Sequence, residues 1–225
     1  MHTLTMMNGR ERQWRTIHVI LVICVGVLLG CVIPQKFSTV QHHRITLGPS
    51  DLKTFGIAFI TPSTVTGQEE EKQAVALTFA EVLQEERSDL HCVSLPETLS
   101  AVNRAGLADE YKQMFEDYRD TGIFKRDILK QVGDVTGVRY IAQLKLAGFR
   151  QGSKGRLSVL GLRVLETKTA DVRVFFQIWD TLDGSIAWEA TQELNYAVDS
   201  IAENNVALRT VLGETARNLI ERLPR

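Results

Sequence analysis

DVRVFFQIWDTLDGSIAW, residues 171–188, alternates apolar and polar side chains with a period of two, which is typical of a strand with one buried face. The apolar series is Val172, Val174, Phe176 and Ile178, and the alternate series is Asp171, Arg173, Phe175 and Gln177. Leu182-Asp183-Gly184 then predicts a tight turn, because Asp and Gly favour such turns. The stretch therefore predicts a β-hairpin whose second strand contains Trp188.

Around this hairpin, strand and helix patterns alternate along the chain. The predicted elements are a strand at 55–60, a helix from 69, a strand at 91–95, helices at 96–106 and 125–136, strands from 140 and at 157–166, and an amphipathic helix at 204–223. The tip Gly152 to Gly155 predicts a mobile loop between two of these strands. We expect an α/β (α+β) fold in three layers, with a mixed sheet of about five to six strands packed by helices, ending in the hairpin and the amphipathic helix.

The amino terminus has the pattern of an export signal. An apolar run occupies 17–29, and Arg10, Arg12 and Arg15 precede it. The run is shorter than the ~20 residues that span a bilayer. It ends in Leu28-Leu29-Gly30-Cys31, which resembles the lipobox of bacterial lipoproteins. An uncleaved membrane anchor is the alternative interpretation.

The lipobox resemblance implies a chemistry for Cys31. The signal at 1–30 would be removed, and the Cys31 thiol would carry a diacylglycerol and its new amino group an acyl chain. No other cofactor is expected. Val32 in place of Asp, by similarity to enterobacterial sorting rules, favours the periplasmic face of the outer membrane, although inner-membrane anchorage remains open. Two or three acyl chains hold a protein on a membrane almost permanently.

The domain boundaries follow from this assignment. Residues 31–50 are polar, contain two prolines and lack a helical period, which predicts a lipidated tether of at most about 70 Å. The folded domain is then 51–225. The formal net charge of −1 becomes about −3 without the signal, so we expect no nucleic-acid partner.

Three pieces of the folded region resemble one family. They are Gly56-Ile57-Ala58-Phe59-Ile60 before Pro62; the junction 128–133 with Gly137-Val138-Arg139-Tyr140-Ile141; and VFFQIWD at 174–180 with DGSIAW at 183–188. Over about residues 50–223 the chain resembles the curli-secretion-channel (CsgG-like) lipoproteins and their relatives, which share a fold with the amino-terminal domain of TolB. None of the pieces is a catalytic motif.

The resemblance implies three possible functions. One is a subunit of an oligomeric secretion channel, but Lys145, Arg150 and Arg163 interrupt the apolar pattern of the candidate strands. Another is an activator of a peptidoglycan synthase, which needs a long tether. The third, which we favour, is a non-catalytic docking module of an envelope assembly, secretion or transport complex. Its partner would be an envelope protein or a second copy of the chain.

Three further features of the sequence could be either sites or parts of the structure. Tyr111, Met114, Phe115 and Tyr118 form a helical stripe that predicts either core packing or a partner face. The pair His42-His43 is too small for a metal site. Cys92, the thiol left after lipidation of Cys31, is expected to be buried and inert.

Catalysis is not expected from this sequence. The segment from Asp183 superficially resembles the Asp-box of sialidases, but its glycine comes one place too early, and turn formation explains both Asp180 and Asp183. The sequence has no Gly-x-Gly-x-x-Gly, no Gly-x-x-x-x-Gly-Lys-Ser/Thr and no Gly-x-Ser-x-Gly, which are motifs of nucleotide-binding proteins and hydrolases. We therefore expect neither enzymatic activity nor a small-molecule substrate.

Overall fold

The computed structural model describes Trp14 and residues 34–159, 162–200 and 205–225, without side chains at 156–165. Pro34–Arg225 is one compact unit. Its sheet has seven strands: β1 (Gln35–Arg44), β2 (Ile57–Phe59), β3 (Ser63–Thr64), β4 (Cys92–Val93), β5 (Tyr140–Val159), β6 (Leu162–Asp180) and β7 (Ile186–Ser200). The order is β1-β7-β6-β5-β2-β4, and β3 also pairs with β5.

The sheet is mixed, as predicted. β2 runs parallel to β4 and β5, whereas β5, β6, β7 and β1 form successive antiparallel pairs. The described helices are α1 (Asp51–Phe55), α2 (Glu69–Glu86), α3 (Leu95–Arg104), α4 (Ala108–Thr121), α5 (Arg126–Thr136) and α6 (Leu208–Ile220). Among the described residues, no helix is both long and apolar enough to cross a bilayer.

Helices cover both faces of the sheet and give two cores. On one face, Phe79 of α2 and Leu212 of α6 pack into the cluster that contains Phe176. On the other, helices α3, α4 and α5 pack around Ile141 and Trp179. The three-layer α+β arrangement expected from the sequence is therefore confirmed.

The alternating series at 171–178 is the basis of the main core. Val172, Val174, Phe176 and Ile178 are almost fully buried on the α2 and α6 side. Trp179 follows Ile178 and therefore points to the opposite face, where it joins the other core. The register of β6 against β7 shifts at this place, with Ala187 of β7 left without a partner in β6. The predicted turn is confirmed: Gly184 donates its N–H to the Asp180 carbonyl at 2.9 Å, with φ +75°.

Two expectations about the strands between 140 and 166 are wrong. The tip Gly152 to Gly155 lies within β5, where it pairs with Glu166 to Thr169 of β6. The expected strands from 140 and over 157–166 are therefore parts of two longer strands. Gly and Ser lower the local strand propensity of this stretch, but backbone pairing with β6 maintains the ladder.

The expected tether at 31–50 is also wrong in part, since ten of its residues form β1. This strand pairs with β7 in continuous register, from Gln35 opposite Ala197 to Arg44 opposite Trp188. Nine of its ten residues are exposed, and Val40 is half-buried. Backbone pairing holds the strand in place. Because few of its side chains are buried, its sequence shows little apolar periodicity. Leu47, only 1% exposed, also belongs to the core.

Candidate functional site

The most accessible binding feature is the edge of the sheet formed by β1. Within the part of the chain that the structure describes, β1 pairs only with β7. Its ten-residue register carries no bulge, and the strand contains no proline. Bulges, prolines and several lysines are the usual means of blocking such an edge, and β1 has only Lys36. This edge is therefore open to a further strand.

The even-numbered residues of β1 have their backbone polar groups directed away from β7. Ile45 donates its N–H to the carbonyl of Ala187 at 3.0 Å. Because hydrogen-bonded and non-hydrogen-bonded pairs alternate along an antiparallel ladder, the odd residues from Gln35 to His43 bond to β7. The residues with outward N–H and C=O groups are Lys36, Ser38, Val40, His42 and Arg44.

Side-chain contacts fix this register from the α6 side. Lys36 Nζ lies 2.7 Å from Glu214 Oε2 on α6. Gln192 of β7 donates from Nε2 to Ser38 Oγ at 2.7 Å. Val40 packs against the main core. These contacts lie on alternate residues of one face of β1, and its outer edge remains open.

The edge has a cationic and partly apolar character. Between residues 34 and 50 the sequence has Lys36 and Arg44 and no carboxylate. Phe37 is 68% exposed and Ile45 is 55% exposed, both far above the exposure of core residues. Because Lys36 is paired with Glu214, Arg44 is the residue of this segment that supplies positive charge for an acidic ligand. This absence of carboxylates was visible in the sequence and could have drawn attention to the segment.

The aromatic stripe on α4 is mainly a packing face. Met114 is fully buried and Tyr111 is 8% exposed, both in the core that contains Trp179. Phe115 and Tyr118 are half-buried and stack around Phe124, with the Tyr118 and Phe124 ring centroids 4.2 Å apart. Burial raises the pKa of Tyr118. As a partner face the stripe is therefore wrong for Tyr111 and Met114, since both are buried in this core, where the Phe115 ring contacts Tyr111.

The histidine pair and the free thiol have structural settings. His42 and His43 are consecutive in β1, so their side chains lie on opposite faces of the sheet and cannot share one metal. Cys92 is half-buried in β4. Burial, assisted by the nearby Glu97 carboxylate, raises the pKa of the Cys92 thiol to about 11. Such a thiol contains little reactive thiolate near neutral pH.

The two aspartates of the hairpin have structural partners. Asp183 accepts a hydrogen bond from the Ser185 backbone N–H at 2.8 Å, and hydrogen bonding to Ser185 lowers the pKa of Asp183. Asp180 forms a two-point ion pair with Arg139, with Nη2 2.6 Å from Oδ2 and Nε 3.0 Å from Oδ1. Sequence reasoning identified the turn but not Arg139, which lies forty-one positions before Asp180.

The predicted lipidation motif, Leu28-Leu29-Gly30-Cys31, lies outside the described residues. Chain geometry still limits its distance from β1. Four residue steps separate Cys31 from Gln35, so their Cα atoms are at most about 14 Å apart at roughly 3.6 Å per extended residue. A lipid on Cys31 would therefore be joined to the first residue of β1 by a short stretch of chain.

Comparisons with known proteins give only distant similarities. No protein-family model matches the chain, and no curated protein is significantly similar to it in sequence. Among solved structures, the chain is similar to the PelC dodecamer from Paraburkholderia phytofirmans, with 13% identity, a TM-score of 0.46, and coverage of 84% of this chain and 98% of that one.

Two further solved structures are similar to the chain. Lipoprotein GNA1162 from Neisseria meningitidis is 14% identical with a TM-score of 0.34, over 74% of this chain and 95% of that one. The LpoB C-terminal domain from Salmonella enterica is 12% identical with a TM-score of 0.31, over 66% of this chain and 84% of that one.

Proposed function

We propose that this protein is a lipid-anchored, non-catalytic docking module of the bacterial envelope, which binds an extended segment of a partner protein as an additional strand beside β1. One observation carries this proposal: an open ten-residue edge strand begins four residues after the predicted lipidated cysteine. Strand addition uses backbone hydrogen bonds for affinity and side-chain contacts for specificity. The expected site is the periplasmic face of the outer membrane.

The short spacing between lipid and sheet supports a module that acts close to its membrane. With β1 in the fold, about 14 Å of extended chain replaces the longer tether expected from sequence. An activator of a peptidoglycan synthase would need to reach much farther from its anchor. The spacing therefore argues against that alternative and favours a partner located at the membrane surface.

The chemistry of β1 indicates what kind of partner segment would bind. It should be extended, and it should carry carboxylates that complement Arg44 and the absence of acidic residues in 34–50. A second copy of β1 would bring cationic residues near each other and is less favourable. The opposite edge of the sheet is β4, with only two residues, which offers too little length for a head-to-tail pairing.

The proposal can be tested by blocking the outward backbone groups of one residue. In His42→Pro the backbone loses an N–H that does not bond to β7, so the ladder between β1 and β7 should survive. The proline ring then occupies the outer edge of β1, where a further strand would pair. His42→Ala is the matched control, because it removes the imidazole and keeps the N–H. Both variants would carry a photocrosslinking amino acid in place of exposed Phe37 and be irradiated in native membranes.

The expected result is a discrete crosslinked adduct with one envelope protein in the His42→Ala background, and its loss in His42→Pro. Thermal unfolding of both variants should coincide within a few degrees, which separates binding from folding. An adduct that persists unchanged in folded His42→Pro would contradict strand addition at this edge. An adduct consisting only of two copies of the chain would replace the partner proposal with self-association.

A second candidate function is a subunit of an oligomeric secretion channel. The observation that favours it is the length of β5 and β6, twenty and nineteen residues. Against it, Lys145, Arg150 and Arg173 are exposed along these strands. Negative-stain electron microscopy of the detergent-extracted full-length chain decides the matter: rings with a central opening support the channel, and small particles exclude a stable homomeric pore.

A further inference from the structure

A second, independent site lies on the side of α4 that faces β3 and β5. A cleft of about 640 Å³ is lined there by four cationic side chains and three serine or threonine side chains. The cations are Lys72, Lys112, Arg119 and Lys145, and the hydroxyls are Thr61, Ser63 and Thr64. Glu116 is the one carboxylate among the described lining residues. We call this the donor cleft.

Two of these hydroxyl oxygens already accept hydrogen bonds from other groups of the protein. Gln143, 1% exposed, donates from Nε2 to Ser63 Oγ at 3.2 Å. Gly67 donates its backbone N–H to Thr64 Oγ1 at 3.0 Å. A hydroxyl that accepts such a bond still has its own proton to donate. Ser63 and Thr64 are therefore placed to act as donors toward a ligand.

The third hydroxyl has a similar arrangement with Tyr111. The backbone N–H of Thr61 donates to Tyr111 Oη at 3.0 Å, and Thr61 Oγ1 lies 3.0 Å from the same atom. Burial raises the pKa of Tyr111 to about 12, so its hydroxyl keeps its proton and can donate it to Thr61 Oγ1. The Thr61 proton then becomes available to the cleft.

Three of the four cations have no close ion pair, whereas Arg119 has its Nε 3.1 Å from Asp120 Oδ1 at the exposed surface. Lys72 Nζ is 3.7 Å from Glu69 Oε2, and Lys112 Nζ is 3.8 Å from Glu116 Oε1, both long contacts near the surface. Lys145 has no carboxylate partner in the described part of the chain, and its Nζ lies 5.9 Å from the Phe175 ring centroid. The cleft thus combines available positive charge with several hydroxyl donors.

We propose that the donor cleft binds a phosphate group carried by a small polar molecule, such as a sugar phosphate or a phospholipid headgroup. Phosphate offers several acceptor oxygens in a tetrahedral arrangement, which suits donors that converge from lysines and hydroxyls. The half-buried rings of Phe115 and Tyr118 line the same cleft and give an apolar surface for the carrier. The site does not depend on strand addition at β1.

The test uses the full-length protein in a non-ionic detergent and isothermal titration calorimetry. The probes are inorganic phosphate, glucose 1-phosphate and glycerophosphoglycerol, with glucose as the uncharged control. We expect saturable binding of at least one phosphate probe at one site and none of glucose. Lys145→Gln and Lys72→Gln should each weaken binding about tenfold, as expected for loss of a charge-assisted hydrogen bond.

Lys130→Gln is the matched control, since Lys130 also pairs with a carboxylate on its own helix, Asp134 at 2.7 Å, but does not line the cleft. Its binding should equal that of the unaltered protein. Preference for glucose 1-phosphate over glycerophosphoglycerol identifies a sugar phosphate, and the reverse identifies a lipid headgroup. Absence of binding by all three phosphate probes, or equal affinities in the Lys145, Lys72 and Lys130 variants, would overturn the proposal.

Discussion

Arg139 connects parts of the fold that are distant in sequence. Its guanidinium forms an ion pair with Asp180. The same group lies over the rings of Phe55 and Tyr140, 5.1 and 5.3 Å from their centroids. Its backbone N–H and carbonyl bond to Phe55 and Thr181. One side chain thus joins the end of α1, the start of β5 and the hairpin turn.

Removing this guanidinium should destabilise the fold. Arg139→Leu leaves the Asp180 carboxylate, whose side chain is 6% exposed, without its ion-pair partner. We expect a loss of about 2 kcal/mol in the free energy of unfolding, because an unpaired buried charge is costly. Urea denaturation measures it. Arg173→Leu is the control: both partners of its pair with Glu193 are more than half exposed, so its loss should stay below about 0.5 kcal/mol.

Cys92 should react slowly while the protein is folded. Its raised pKa, about 11, means that the thiolate fraction at pH 8 is small, whereas an unfolded cysteine ionises near pH 8.5. We expect reaction with Ellman's reagent at pH 8 to be many times slower in native buffer than in urea. The native rate should rise steadily as the pH approaches 11. A native rate equal to the unfolded rate would show that Cys92 is accessible and ionised.

At the residue level, the sequence predicted which side chains share one face of a helix better than it predicted which residues contact that face. The stripe through Met114 was correctly placed on one helical face, but periodicity does not show what covers that face. The donors of the cleft escaped sequence reasoning for a different reason. Lys72, Lys112 and Lys145 come from three separate elements, and only the fold brings them together.

Among the elements, β1 has the largest effect on how the domain should be defined. A chain that starts at residue 51 lacks both β1 and the buried Leu47. We expect it to unfold at lower urea concentration than a chain that starts at Pro34, with a loss of at least about 3 kcal/mol. Equal denaturation midpoints would mean that β1 contributes nothing to the fold.

The elements that sequence predicted correctly are those with a strong side-chain pattern. Residues 171–178 of β6 alternate cleanly, and α6 has an apolar stripe. β1 has neither, since its side chains are almost all solvent-exposed and its position depends on a strand near the other end of the chain. The sequence did not predict the full length of β5, because Gly152 and Gly155 interrupt its side-chain pattern. The backbone ladder with β6 nevertheless continues through both glycines.

For the whole molecule, the lipid anchor can be examined directly by mass spectrometry. Correct processing predicts a tryptic peptide from Cys31 to Lys36 that carries a diacylglycerol and one further acyl chain. An uncleaved signal would instead give an unmodified peptide from Thr16 to Lys36, which includes Cys24. Finding the unmodified peptide from Thr16 to Lys36 in isolated membranes would refute lipidation and would show that the segment is an uncleaved membrane anchor.

The pairing of β1 with β7 has a consequence for how the chain folds. Gln35 lies opposite Ala197, so the outermost ladder joins the two ends of the unit. Contacts between such distant positions give a high contact order, and closing the long loop between them has an entropy cost that slows folding. β1 therefore cannot take its place until nearly all of the chain has been synthesised and exported. Until then the backbone polar groups of β1 have no partner strand and stay bonded to water.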